Sequence, residues 1–228
     1  MSNVAVTQAP IPKLSPQIRA GLIGIRRAEG TWSEGLDPKA GYNIMFGGGK
    51  FDNTKGHPNT VVHGGRYSSA AAGAYQFMPN TWNNVGGGPM TPERQDWGAT
   101  RLWLARLGLP QNQHGVNLLT KTLVKNNGIS PSMSHRMAPE WASFPTLAGV
   151  SYYGQPVKPL SQINKAYHSV LPLYQKQDKV VSAIERPTGL ADAYRETNKP
   201  APGPKEINML NIFNQETQKA WQDLLIGK

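Results

Sequence analysis

The chain has 228 residues, 17% of them charged, with 24 glycines, 19 prolines and a formal net charge of +10 at pH 7. That length allows one or two domains with a proper core, and the glycine and proline content marks a loop-rich protein. Having no cysteine, it can hold neither disulfides nor a thiol nucleophile, and no apolar run approaches the roughly 20 residues of a membrane span, so membrane insertion is not expected.

Residues 1–14 read as an extended, proline-containing arm, and their sequence lacks the basic and apolar regions of a signal peptide. The stretch "SPQIRAGLIGIRRAEGTW" then predicts a helix. Ser15 can cap it, Pro16 suits the first helical position, and Gly30 can adopt the left-handed stop. Ile18, Leu22, Ile25 and Glu29 fall on one stripe at about 100° per residue, so a carboxyl joins the apolar face. Burial and the negative end of the helix dipole both raise the pKa of such a group toward that of a general acid. The alternative is a carboxylate paired with Arg26 or Arg27, and periodicity alone leaves the two readings even.

Residues 36–68 are rich in Gly, Asn, Asp and Pro, with short apolar pieces "YNIMF" and "TVV", which predicts small hairpins and loops. "SSAAAGAYQFMPNTW" follows: small residues that let backbones approach closely, then Tyr75 and Gln76, then a helix start at Pro79. Helices are next expected in "TPERQDWGATRLWLARLG", capped at Thr91, in "GVNLLTKTLVKNNG", ending at Asn127, and from about Met133 to Phe144. Another runs through "PLSQINKAYHSVLPLYQ", where Leu160, Ile163, Tyr167 and Val170 keep helical spacing. Trp82, Trp97, Trp103 and Trp141 fit core positions better than exposed platforms. Near residue 175 the composition changes. "NKPAPGPKE" is a stiff linker, and the amphipathic pieces after it are too few for a core of their own, so residues 176–228 are expected to be a docking extension.

Nearly all of the net positive charge lies before residue 173. Such a field attracts nucleic acid, anionic membrane surface or envelope polymers, and no basic helix with interleaved aromatics chooses the first of these. His57, His63, His114, His135 and His168 show no HExxH or comparable zinc-ligand spacing, which counts against a metal-dependent amidase or endopeptidase; no metal or cofactor is expected. Asp37 and Asp52 sit in turn-forming sequence and read as solvated turn residues.

Taken together, "AEGT", "GYNIMFGGGKF", "HPN", "AAGAYQFMPNTW", "EWASFP" and "YGQP" occur in an order that resembles the phage lambda-type lysozymes, peptidoglycan lytic transglycosylases of the lysozyme-like superfamily. The resemblance covers roughly residues 17–175. It implies an α+β, mainly α, lysozyme-like fold with a small β-hairpin lobe and a C-terminal extension, dividing the chain into an arm at 1–14, a catalytic domain at 15–175 and the extension at 176–228. It implies Glu29 as the catalytic acid, and Tyr42, Asn43, Gly48, Tyr75 and Gln76 as saccharide-binding residues. Two departures stand out. The family's aspartate after Gly-Tyr is Asn43 here, and the arginine of its "GRYQ" is Ala74.

The implied reaction cleaves the MurNAc–GlcNAc bond with one carboxyl acting as acid and then as base, where an ordinary glycosidase needs two. Hydrolysis in the same groove and a non-catalytic, wall-binding virion protein are the alternatives. The expected partners are peptidoglycan and, through residues 176–228, phage tail or virion proteins. Such a protein would act from the virion or from the host cytoplasm after release to the cell wall.

Overall fold

Helix α1, Pro16–Glu29, begins and ends where its sequence directs. Ser15 stands outside in extended backbone and its hydroxyl accepts from the Ile18 N–H, while Gly30 closes the helix at φ 75° with its N–H on the Arg26 carbonyl. A computed structural model of the protein describes residues 10–64 and 67–184. The first nine residues of the arm and the extension from residue 185, with the docking role expected of it, lie outside the described residues.

Ile18, Leu22 and Ile25 are buried, at 0%, 2% and 0% exposure, in one hydrophobic cluster with Trp103 and Leu104 of α3 (Pro92–Leu107) and with Val116, Leu119 and Leu123 of α4 (Gln113–Asn126). Each such side chain contributes about 1.5–3 kcal/mol of burial free energy. Gly21 makes the approach possible: a Cβ there would strike the Trp103 ring. The other tryptophans also serve the core, with Trp82 and Trp141 buried and Trp97 packed against its edge.

The smaller lobe is built between α1 and α3. Strands β1 (Val62–Gly64) and β2 (Tyr67–Ser69) pair antiparallel, with Val62 opposite Ser69 and His63 opposite Ser68. Single bridges join Ile44 to Lys50, Met45 to Ala72 and Ala72 to Phe77, around a short 3-10 turn at Phe46–Gly48. The short helix α2, Pro79–Asn84, follows at the predicted proline. The described residues are therefore mainly helical with a small hairpin lobe, as composition and motifs lead one to expect.

Three helices differ from the sequence reading. Helix α4 starts at Gln113 because the Asn112 side chain accepts from the N–H groups of His114 and Gly115. Helix α5 covers only Pro131–Met137, not the stretch to Phe144; Pro139 has no N–H to offer the His135 carbonyl, and Pro145 disfavours helical backbone at Phe144. Helix α6, Leu160–Ile184, runs on past residue 175 despite Pro172. Arg19 of α1 accounts for the extension: it donates to Gln177 Oε1 at 2.9 Å and to the Tyr174 carbonyl at 3.3 Å, and pairs with Asp178. The described residues through Ser182 form one compact unit.

Candidate active site

Glu29 is the last residue of α1 and is partly buried. Its Oε1 accepts a hydrogen bond from the Ser143 hydroxyl. Burial raises its pKa from 4.5 to about 7, and the Ser143 hydrogen bond opposes the rise by favouring the anion. Neither neighbouring arginine pairs with it. Arg26, 1% exposed, points into the protein and donates to the Pro38 carbonyl at 2.6 Å and to the Ala40 carbonyl. Arg27 meets Glu34 at 3.3 Å and donates to Gln162 at 3.4 Å. The ion pair of Glu29 that the sequence left open is thus not formed, and Arg27 meets Glu34 instead.

Ser143 comes from the loop between α5 and α6, and that loop is tightly fastened. Trp141 and Phe144 on either side are buried, with ring centroids 6.4 Å apart. The Ser143 carbonyl accepts from the Lys158 N–H at 2.9 Å, the Ala142 carbonyl from the Ser151 hydroxyl at 3.0 Å, and the Pro145 carbonyl from the Ser134 hydroxyl at 2.6 Å.

On the other side of Glu29 the chain turns through Thr31, whose hydroxyl donates to the Ala74 carbonyl at 2.5 Å. Gly41 lies against this turn. At φ 85° it adopts a conformation that favours glycine, and any Cβ there would strike the Thr31 carbonyl oxygen. Gln95, fully buried on α3, then joins three segments: its Oε1 accepts from the Ala74 N–H at 2.8 Å, and its Nε2 donates to the carbonyls of Tyr42 at 2.8 Å and Met90 at 2.5 Å.

Tyr42 and Tyr75 are brought together, although by the protein interior. They are 8% and 1% exposed, their rings meet edge to face at 6.4 Å, and both hydroxyls donate to Asp96 Oδ1, at 2.7 and 2.5 Å. The Arg26 guanidinium lies 4.6 Å over the Tyr42 ring. Burial raises the Asp96 pKa to about 6, while the two tyrosine hydrogen bonds and Arg26 pull it down.

The remaining predicted residues keep more open faces. Asn43 is partly exposed and adjoins Ile44, whose carbonyl accepts from the Gln76 amide at 3.4 Å; the same amide donates to the Gly73 carbonyl at 3.0 Å. Gly48 is exposed at φ 92° in the 3-10 turn. Asp37 and Asp52 accept the N–H groups of Lys39 and Thr54 two residues on, as turn residues do. The two His57 ring nitrogens bond the Phe77 carbonyl and the Asn59 N–H. Among the described residues no helix is long and apolar enough to cross a membrane.

A family model described as Endolysin matches residues 19–171. No curated protein matches the chain. Among solved structures, bacteriophage lambda lysozyme complexed with a chitohexasaccharide aligns with a TM-score of 0.54 at 22% identity, over 69% of this chain and 95% of that one. A second, the lysozyme from bacteriophage lambda, gives a TM-score of 0.48 at 21% identity over 72% and 95%. The first likeness is one of fold: the helical body with its small hairpin lobe is lysozyme-like.

Proposed function

The chain belongs to the endolysin family, and from that premise we propose that it cleaves the β-1,4 bond between MurNAc and GlcNAc in bacterial peptidoglycan by lytic transglycosylation, with Glu29 as the only proton carrier. The observation that carries this reading is the environment of Glu29: a carboxyl at a helix end, paired with no cation, and raised by burial to about 7. At neutral pH both its forms are populated, which suits a group that must first donate and then accept.

Protonated Glu29 gives its proton to the bridging oxygen as the bond to C1 of MurNAc breaks. The positive charge that develops is shared by the sugar ring and the substrate's own N-acetyl oxygen. Carboxylate Glu29 then takes the proton of the C6 hydroxyl while that oxygen closes on C1, giving a 1,6-anhydro product and consuming no water. The other described acids support a mechanism with one carboxyl, because they are engaged elsewhere or exposed. Glu34, Glu140 and Asp178 are in ion pairs, Asp37 and Asp52 cap their own turns, Asp96 holds two tyrosines, and Glu93 is exposed in the first turn of α3.

Within this proposal Asn43, Gly48 and Gln76 contact the saccharide, the Gln76 Oε1 facing it because the amide nitrogen is held by backbone. Tyr42 and Tyr75 hold the floor beneath them through Asp96. The net charge of +10 favours approach to an anionic envelope. Attachment to a phage particle through residues 176–228 belongs to the same proposal and rests on the amphipathic pieces of that sequence; a truncation after Ile184 that still assembled into particles would overturn it. Mass spectrometry of murein digests tests the reaction type. Anhydromuropeptides are expected, and products with reducing MurNAc ends would replace transglycosylation by hydrolysis.

A further inference from the structure

We infer that Ser143 is the positioning residue of Glu29: its hydroxyl holds Oε1 and thereby assigns the transferable proton to Oε2. The inference rests on Glu29 being the proton carrier. A carboxyl at the end of a helix has two chemically equal oxygens and free rotation about its last bond, and a reaction that uses it twice needs both transfers to occur at one place.

Ser143 supplies what is missing. Its side chain has a single heavy-atom torsion, and its backbone is fixed by the buried rings of Trp141 and Phe144 and by the bonds from Lys158 and Ser151 to the carbonyls of Ser143 and Ala142. The hydroxyl therefore reaches Glu29 from a rigid base, 114 positions away in the chain. While it donates to Oε1, a proton on the carboxyl belongs on Oε2. That proton passes to the bridging oxygen as the C1–O bond breaks, the carboxylate left behind keeps the Ser143 hydrogen bond, and Oε2 then receives the C6 hydroxyl proton as the new C1–O bond closes.

The charged groups of the surrounding elements are turned to other partners. On α1, Arg26 faces the carbonyls of Pro38 and Ala40, and Arg27 faces Glu34 of the following loop; Glu140, on the Ser143 side, meets Arg106 at 2.7 Å, and Lys158 lends its backbone N–H. Burial and the serine are what set the behaviour of this carboxyl.

The test compares Ser143→Thr with Ser143→Val, side chains of equal size that differ in the hydroxyl, by murein turnover across pH in proteins shown folded by circular dichroism. The threonine variant is expected to stay within about threefold of wild type. The valine variant should lose about tenfold or more in kcat with KM within about twofold, and its alkaline limb should move to higher pH, since burial then acts on Glu29 unopposed. Should the valine variant fail to fold, Ser143→Ala takes its place, with the same loss and the same shift expected. A hydroxyl-free variant with the wild-type rate and pH profile, alongside an inactive Glu29→Gln, would overturn the role of Ser143 and leave the proposed function standing. An active Glu29→Gln would instead overturn the function on which it rests.

Discussion

The Tyr75 hydroxyl donates to Asp96 at 2.5 Å, joining the loop that follows the hairpin to helix α3. Tyr42 donates to the same carboxylate oxygen, so one acid fixes the two tyrosines expected to frame the sugar site. Its folded pKa of about 6 lies above the 3.8 of an ordinary aspartate, with burial as the largest cause. The protonated form is thus favoured by folding. The corresponding stability is fully present below about pH 4 and is lost as pH rises through 6, on the order of 3 kcal/mol in all. Asp96→Asn removes the titration, so between pH 4 and 6 wild type should lose melting temperature relative to the variant. Parallel curves for the two proteins would show that Asp96 does not carry this dependence.

Glu29 follows the same sign. Its pKa rises from 4.5 to about 7, so ionising it destabilises the folded protein, and the stability lost as pH rises through 7 is on the order of 3 kcal/mol. Glu29→Gln should melt higher than wild type at pH 8 by several degrees and differ little at pH 4. A variant less stable than wild type at pH 8 would mean that the carboxylate is well solvated.

Gly21 is a packing position. An added Cβ would press on the Trp103 ring, which is itself wholly buried. Gly21→Ala gains helix propensity yet should cost about 1–3 kcal/mol through overpacking, read as a lower denaturant midpoint with unchanged slope. An unchanged or higher midpoint would contradict the close contact of α1 with α3.

Much of α1 was legible because its signals are local: a capping serine, a first-turn proline, a terminal glycine, and an apolar stripe that ends in Glu29. What escaped are the long-range partners. Nothing near Ser143 in the sequence announces a bond to a residue 114 positions earlier. Gln95 and Asp96 are adjacent polar residues on a helix, which ordinarily means a solvated face, yet one is fully buried and the other bridges two tyrosines. Arg26 looks like a cation placed to offset the helix dipole, and instead it enters the protein to meet two carbonyls. The length of α6 was hidden for the same reason, since Gln177 and Asp178 are ordinary exposed-looking residues until Arg19 is seen beside them.

Positive charge should speed the encounter with an anionic envelope. With a net charge of +10, the lysis rate of intact walls is expected to fall severalfold between about 0.01 and 0.15 M salt, as the screening length shortens from about 30 to 8 Å. A rate indifferent to salt would remove electrostatic approach from the account.

The most direct measurement is the turnover of purified murein by Glu29→Gln at pH 6–7, with folding checked in the same sample. A glutamine of the same size can neither give nor take the proton, so the rate should drop by at least about a hundredfold. Turnover near the wild-type rate would contradict the assignment of Glu29 as the proton carrier.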